Sequence, residues 1–459
     1  MDDSLFTPLA AAGLTSLTVQ YDWRTDRHRL FAAREWEPDL DFARYRAEFD
    51  AETLLTPDGI YLNHRQVERL FAEHGLSGYL STVLDLVRAG RHVGIEAYFH
   101  AGKDIRFLCH QHSRRQGVMN RRHAIMAGGI RRHAPTEREL DVIVDGLNLG
   151  RAMSFKNVAA GIDFGGCKTT VQMAPLYLAD LAAVGFLAYA LDRCRTMTGP
   201  DMNFPTGMSD VVNAHFSASF TSGPGSPLGE TGRPTAYGTF LALREAVRFR
   251  EGRASLAGKS VAVMGLGAVG WHMAEHLLDA GACLYVADTD EDKVGRFLAA
   301  HAGGRTGGGS GASRGAVHAV PAARVLDLEA DVLCPCAVGG ILSEEAIAQL
   351  RFQYVFGPAN NQLAATDQRE EIRLARLLAE RGILFQTEWW HNTAGVMCGA
   401  EEYLHGADAS YDRLRERIER TVPARTQHNL AEAERLGITP TENAYRVCVD
   451  RIYPPSAME

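Results

Sequence analysis

Two lysines stand twelve residues apart in the segment RAMSFKNVAAGIDFGGCKTTV: Lys156 and Lys168, separated by the double glycine Gly165-Gly166. Further along, Asp201 sits in the turn-like segment TGPDMNFPTG. Two amines and a carboxylate suit a small anionic substrate. One amine can hold a carboxylate group. The other, desolvated beside it, has its pKa lowered and can exchange protons near neutrality. The lysine count sharpens the point, since only five of the 48 basic residues are lysines. Arginine serves wherever a plain cation suffices, whereas an amine alone offers a tunable proton. Taken singly, Lys156 also reads as a helix-surface residue and Asp201 as a turn residue.

A second motif concerns a cofactor. Gly265-Leu266-Gly267-Ala268-Val269-Gly270 follows the apolar run SVAVM and opens the helical segment WHMAEHLLDAG. Strand, glycine turn and helix start are the context a dinucleotide fingerprint requires. The first glycine makes the turn, the second admits the pyrophosphate, and the third brings helix and strand together. The helix N-terminus adds partial positive charge for the phosphates. Asp288 ends the next strand, where a carboxylate accepts ribose hydroxyls and, with Asp290, repels a 2′-phosphate. NAD is therefore expected rather than NADP.

The elements that must position these groups fall into two blocks. A chain of 459 residues, 46% apolar and 23% charged, suits two globular domains. A net charge of −8 disfavours a non-specific nucleic-acid binder. The opening MDDSLFTPLAAAG lacks the cationic stretch of a signal peptide, and the longest apolar run, near Met173–Leu191, carries Asp180 at its middle. No membrane partner and a cytoplasmic location are expected. The eight cysteines are scattered, and the pair Cys334-Pro335-Cys336 matches neither a redox nor a zinc pattern, so free thiols and no metal are expected.

Alternation predicts a hairpin over Ser16–Glu35, helices near Arg65–Ala72 and Tyr79–Arg88, and a strand near Val93–Phe99. The Arg- and His-rich stretch His100–His133, with His110 and His112, reads as solvated surface. A helix near Glu137–Phe155, a strand at Thr169–Met173 and a core helix around Leu176–Arg193 follow. The Gly/Pro/Ser-rich Ser222–Gly238 reads as an interdomain connection, and His301–Val317 as a glycine-rich insertion. Beyond it the pattern is α/β.

The ordered motifs GG-x-R (Gly128–Arg131), MSFKN (Met153–Asn157), GGCK (Gly165–Lys168), TGPD (Thr198–Asp201), TAYG (Thr235–Gly238), GLGAVG, PCAVGG (Pro335–Gly340) and GPANNQL (Gly357–Leu363) resemble those of the glutamate/leucine/phenylalanine/valine dehydrogenases. The resemblance runs from about Gly128 to Gly399. Residues 1 to about 90 match poorly, as do the long connection before Gly128 and the glycine insertion. TEWWHNTAGV (Thr387–Val396) keeps Asn392 and Gly395 but brings in Trp389, Trp390 and His391, either as packing or as a reshaped active-site floor.

The resemblance implies an α/β protein: an N-terminal α/β substrate and oligomerisation domain over 1–232, with helices from about 393–459 packing back on it, and a C-terminal Rossmann NAD-binding domain over 233–392. It implies NAD-dependent reversible oxidative deamination of an L-amino acid to its 2-oxo acid and ammonia, by a homo-oligomer of at least two copies. By motif, Lys168 activates the attacking water and Asp201 relays protons. Lys156 binds the substrate carboxylate, aided by the Gly129 backbone and by Asn360 or Asn361. Thr235, Cys336 and Ala337 line the nicotinamide, with Arg131 and Asn360 near the cofactor and Ala268 and Val269 in the glycine turn. Ala127, Gly199 and Gly399, flanked by Pro200 and Val396, line the side-chain pocket. All three are small and uncharged, which predicts a bulky apolar or aromatic substrate. Two rival readings remain: a relative adapted to reductive amination or imine reduction in a specialised pathway, and an NAD-binding regulator that has lost catalysis.

Overall fold

The computed structural model describes residues 3–37, 40–46, 59–114, 124–301 and 315–454. The chain divides into two compact units. The first comprises Met1–Asn157, Ile162–Glu230 and Gly399–Ser410; the second comprises Val158–Gly161, Thr231–Cys398 and Tyr411–Glu459. The division corrects the expected return of 393–459 to the first domain, because only Gly399–Ser410 goes there. Helix Tyr411–Leu436 instead buries Leu414, Ile418, Val422 and Leu430. Its Ile418 and Val422 lie 3.6 and 3.8 Å from where a Cβ on Gly238 would stand. Gly238 belongs to helix Gly232–Glu251, and its missing side chain lets the two helices approach closely. The expected connection Ser222–Gly238 is therefore half helix. Of the Arg/His-rich stretch and the glycine-rich insertion, residues 115–123 and 302–314 lie outside the described residues.

In the first unit the Ser16–Glu35 hairpin forms as read, with strands Ser16–Asp22 and Arg27–Arg34 paired antiparallel. Nine strands make one sheet among the described residues. Its main path runs Ile60–Leu62, Arg27–Arg34, Ser16–Asp22, Gly94–His100, Ile105–Gln111, Gly165–Gln172, Met126–Ala127 and Thr196–Met197, with Ile130–His133 also beside Gly165–Gln172. Residues 16–62 thus supply the edge of the sheet. One face packs Phe107, Cys109, Cys167 and Val171 against helix Leu181–Arg193. The other packs Leu17, Val19, Ile95, Ala97 and Leu108 against Val67, Phe71, Leu80, Val83, Ile143 and Leu147, as the two-residue period of a strand requires. Asp180 caps helix Leu181–Arg193, accepting a hydrogen bond from the Ala183 N–H, and pairs with Lys103. The carboxylate in the apolar run is a helix start.

His110 and His112 overturn the expectation of solvated surface. Both are buried, at 0% and 1% exposure. Helix Glu139–Ala160 lies over them, with Gly146 where any Cβ would overlap the His110 ring. His110 Nε2 meets Thr170 Oγ1 and His112 Nδ1 meets Ser154 Oγ, each at 2.8 Å. Burial depresses both imidazoles to about 3, against a partial lift of His110 by Asp145 and a further lowering of His112 by Arg151. An unfolded chain protonates these rings below about pH 6.5, whereas the folded one does so only near 3. Stability therefore falls as pH drops through that window, by roughly 1.4 kcal/mol per histidine per pH unit. Urea midpoints between pH 7 and 4.5 should show this slope, and His110→Gln should flatten it. An unchanged slope in that variant rejects the assignment.

The second unit contains a six-stranded sheet whose pairings are all parallel. Its order is Val317–Ala319, Cys283–Ala287, Ser260–Met264, Val332–Pro335, Tyr354–Val355 and Leu384–Phe385. Counted along the chain that is 3-2-1-4-5-6, the doubly wound dinucleotide-binding order. Leu333, Val355, Leu374, Leu378 and Phe385 form its core. Trp389 and Trp390 are buried in this unit too. The Trp389 Nε1–H reaches Glu371 Oε1 at 3.3 Å and its ring meets Tyr445, while the Trp390 Nε1–H donates to the Arg425 carbonyl at 3.2 Å. They are packing residues with satisfied N–H groups.

Candidate active site

Three short segments of the first unit converge where parallel strands end. Met126–Ala127 lies between Gly165–Gly166 and Thr196–Met197, parallel to both. Past these strands the backbones stay paired. The Thr169 N–H donates to the Gly129 carbonyl at 3.1 Å, the Ile130 N–H to the Gly199 carbonyl at 3.0 Å, and the Asp201 N–H to the Ile130 carbonyl at 2.9 Å. GG-x-R, GGCK and TGPD are thus neighbours although residues 132–164 and 169–197 separate them. A Cβ on Gly129 would stand 3.2 Å from Lys168 Nζ, 3.3 Å from Asp201 Cβ and 3.4 Å from the Gly199 carbonyl oxygen. Absence of a side chain there keeps the space between amine and carboxylate open.

Lys168 is 5% exposed and donates from Nζ to Asp201 Oδ2. Strand Gly165–Gln172 holds it opposite His110, and Gly150 brings helix Glu139–Ala160 close, since a Cβ there would stand 2.8 Å from the His110 carbonyl oxygen. Burial pushes the Asp201 carboxyl up, but the Lys168 ammonium and the Arg131 guanidinium outweigh it and hold it at about 2. Arg131 Nε lies 3.3 Å from Asp201 Oδ2 and its Nη1 lies 3.1 Å from Asp145 Oδ2. His133 Nε2 stands 3.4 Å from the same Asp145 oxygen, and His133 Nδ1 is 2.7 Å from Glu137. Hydrogen bonding to Asp145 raises the His133 pKa against its burial. Alternating charges therefore run Lys168, Asp201, Arg131, Asp145, His133, Glu137. Lys156 lies half-buried near the end of helix Glu139–Ala160. The next residue, Asn157, pins that helix end by donating to the Gly165 carbonyl at 2.7 Å.

The dinucleotide motif stands entirely in the second unit, and each glycine there has a separate reason. Gly265 has φ +106° and its Cβ would come within 2.7 Å of Ala337 Cβ. Around Gly267 a Cβ would meet nothing within 4 Å, which leaves room for a phosphate to approach the backbone. At Gly270 a Cβ would overlap the Gly265 carbonyl and lie 2.9 Å from Cys336 Cβ, so Cys336 and Ala337 border the turn. Asp288 accepts from the N–H groups of Leu266 and Asp290 at 2.7 and 2.9 Å. Burial pushes its carboxyl up, and these bonds with Lys293 bring it below the usual range. A backbone cradle at a helix N-terminus and an ionised acid at the next strand end fit a dinucleotide.

A family model for glutamate/leucine/phenylalanine/valine dehydrogenases matches residues 225–458. The chain is 34% identical over 285 residues to the phenylalanine dehydrogenase of Lysinibacillus sphaericus, covering 61% of this chain and 70% of that protein. It is 31% identical over 338 residues to the valine dehydrogenase of Streptomyces virginiae, covering 71% of this chain and 86% of that one. The chain belongs to this family.

It is an amino-acid dehydrogenase, an oxidoreductase acting on amino acids within a family that uses NAD(P). Among solved structures, L-tryptophan dehydrogenase from Nostoc punctiforme shares the fold at 24% identity, with a TM-score of 0.64 over 80% of this chain and 98% of that one. In this dehydrogenase the expected site residues fall into two sets. Ala127, Gly129, Arg131, Lys156, Lys168, Gly199, Pro200, Asp201 and Gly399 belong to the first unit; Thr235, the glycine turn, Asp288, Cys336, Ala337, Asn360, Asn361 and Val396 belong to the second. The Asn392 amide donates to Asn360 Oδ1 at 2.7 Å, and Glu388 accepts from the Asn361 N–H at 2.7 Å, where φ is +54°. Thr235 Oγ1 donates to the Thr231 carbonyl at 2.8 Å. The sequence reading missed Asp145 and His133. Asp145 lies within the expected helix Glu137–Phe155, but nothing local tied it to Arg131.

Arg131, expected near the cofactor, is engaged by two carboxylates of its own unit. The Arg131→Met substitution should lower kcat about 10- to 100-fold, the range for misplacing one proton-transfer group. The KM for the dinucleotide should stay within twofold of wild type. A large rise in that KM with kcat retained would return Arg131 to the cofactor.

Proposed function

We propose that this amino-acid dehydrogenase carries out the NAD-dependent, reversible oxidative deamination of a bulky apolar or aromatic L-amino acid. The observation that carries the reading is the convergence of Lys168, Asp201 and the open Gly129 backbone at the ends of three adjacent strands. Asp201, held ionised by two cations, accepts a proton from the substrate ammonium as the carbon–nitrogen bond gains double-bond character. Lys168, buried and hydrogen-bonded to Asp201, takes in its neutral amine form a proton of the water that adds to the iminium carbon and so becomes an ammonium. In the reductive direction the same ammonium polarises the oxo acid's carbonyl. Lys156 holds the α-carboxylate, with help from the Gly129 backbone and Asn360 or Asn361. Gly265–Gly270 would hold the NAD pyrophosphate, with Thr235, Cys336 and Ala337 toward the nicotinamide, and the bound cofactor would supply the hydride acceptor.

The test is a panel of twenty L-amino acids with NAD, read by NADH absorbance. Turnover of aromatic and large aliphatic substrates is expected, and no turnover of any of them rejects the reading. A regulator without chemistry is disfavoured by the pairing of the buried Lys168 with the partly exposed Asp201, since an unused ion pair of this kind brings little net stability. The ionised Asp288 supports NAD over NADP. Selectivity in kcat/KM of at least about tenfold, worth about 1.4 kcal/mol, is expected, and Asp288→Asn should narrow it; equal use of both by the wild type contradicts the assignment. A homo-oligomer is supported by the edge strand Ile60–Leu62, where Tyr61 is 72% exposed beside Ile60, with Phe31 exposed on the next strand. An exposed apolar edge calls for a cover, and light scattering measures the copy number.

A further inference from the structure

Asp145 takes no part in the proton transfers of the deamination, yet two glycines of its helix fix where it stands. On helix Glu139–Ala160 a Cβ at Gly146 would overlap the His110 ring, and one at Gly150 would stand 2.8 Å from the His110 carbonyl oxygen. The helix therefore lies close on the sheet, and Asp145, the residue before Gly146, comes against strand Ile130–His133. That strand runs parallel to Gly165–Gln172, with Arg131 opposite Thr170 and His133 opposite Gln172. Arg131 and His133 are two residues apart and so leave the same face of the sheet. Lys168, two residues before Thr170 and opposite His110, leaves that face as well.

Arg131 is held from two sides. Its Nη1 donates to Asp145 Oδ1 and Oδ2 at 3.2 and 3.1 Å, while its Nε and Nη2 each lie 3.3 Å from Asp201 Oδ2. Lys168 Nζ donates to that same Asp201 oxygen, so the direction of the carboxylate depends on where the guanidinium stands. A guanidinium is planar and rigid. Once Asp145 fixes one nitrogen, the other two are presented to Asp201 as a unit. Released from Asp145, the long side chain regains rotamer freedom that a single contact does not suppress. Asp145 is itself braced: His133 Nε2 stands 3.4 Å from its Oδ2, and His133 Nδ1 lies 2.7 Å from Glu137. Burial pushes the Asp145 carboxyl up, but the His133 ring, Arg131 and Lys168 outweigh it and hold it below the usual range. It therefore meets Arg131 as an anion.

We infer that Asp145 is a positioning residue for the deamination: it anchors the Arg131 guanidinium against Asp201 and thereby keeps the Asp201 carboxylate aimed at the substrate's ammonium group. The inference rests on the proposed reading in which Asp201 accepts the ammonium proton. Asp145 touches neither substrate nor cofactor in this role, and its whole effect passes through Arg131.

The experiment measures kcat and KM with NAD and the best substrate of the amino-acid panel. The proteins are the wild type, Asp145→Ala, Asp145→Asn, Arg131→Met and the double variant Arg131→Met/Asp145→Ala, with Tm recorded for each. Misplacing a reacting group by about an ångström costs up to about a hundredfold. Asp145→Ala should therefore lower kcat about tenfold, and by no more than Arg131→Met does. Asp145→Asn, which keeps an acceptor oxygen without the charge, should fall between Asp145→Ala and the wild type. The double variant should match Arg131→Met within about twofold, because residues acting through one contact are not additive. Asp145→Asn has the shape of the wild type and carries the same cycle if Asp145→Ala does not fold. A merely structural role reads differently. Lys156 stands on the same helix, so a loosened helix raises the KM for the amino acid, and its losses multiply with those of Arg131→Met. If the losses multiply, or if the Asp145 variants or Arg131→Met keep kcat within twofold of the wild type, the role of Asp145 is refuted while the deamination reading stands. If the wild type oxidises no amino acid, that reading fails and the inference fails with it.

Discussion

Lys168→Ala is expected to lower kcat by at least three orders of magnitude while leaving NAD affinity within a factor of two. The amine is 5% exposed, hydrogen-bonded to Asp201 and faces the space beside Gly129. In the proposed mechanism it is the proton acceptor and the charge that polarises the carbonyl, and loss of a proton-transfer group together with an electrostatic stabiliser costs about 10³- to 10⁵-fold. The dinucleotide cradle at Gly265–Gly270 belongs to the other unit, so binding should persist. Asp201→Asn should match it in kcat: an amide keeps the shape but neither accepts the ammonium proton nor balances Lys168 and Arg131. The two variants should also be non-additive, because each already breaks the shared proton path. Titration of NAD by fluorescence together with single-turnover kinetics measures both quantities. Substantial residual kcat in either variant removes that residue from the mechanism.

Discrimination between phenylalanine or tryptophan and glutamate is the second large effect, expected at a hundredfold or more in kcat/KM. Ala127 is fully buried, and Gly199 and Gly399 leave their space to Met197, Thr221 and Ser222. A glutamate carboxylate placed there meets no cation among these residues, and an unpaired buried charge costs about 3–5 kcal/mol. An aromatic ring brings no such charge, and burial of its surface contributes roughly 25 cal/mol per Å². Gly399→Val should reverse part of the preference, since its Cβ would crowd Thr221 Oγ1 at 3.0 Å and its methyl groups occupy the ring's place. A phenylalanine-to-glutamate ratio below one in the wild type rejects this account of the pocket.

Local pattern carried much of the fold. The Ser16–Glu35 hairpin, the helix that became Glu139–Ala160, the strand before Gly265 and the acid at Asp288 were all legible, because hydrophobic period and turn residues act over a few positions. Where neighbours distant in sequence decide the outcome, local reading failed. His110 and His112 have polar side chains and an arginine-rich context, yet Gly146 on a remote helix permits the close packing that buries them. The C-terminal helices have an apolar stripe whose partner the sequence does not name, and the vacancy at Gly238 decides it. For Trp389 and Trp390 the sequence allows packing or pocket, and contacts with Glu371, Arg425 and Tyr445 decide for packing.

By itself the sequence determined which chemical groups are present: two rare lysines, an aspartate in a glycine–proline turn, and a glycine fingerprint with its acid, in an order shared with amino-acid dehydrogenases. Residue type and short-range spacing are intrinsic to the chain. Tertiary structure alone decided that Arg131 turns to Asp201 and Asp145 and that His133 extends that line of charge. Charge pairing and hydrogen-bond direction depend on distances of a few ångströms between residues 14 to 180 positions apart, and only the packed backbone sets those distances.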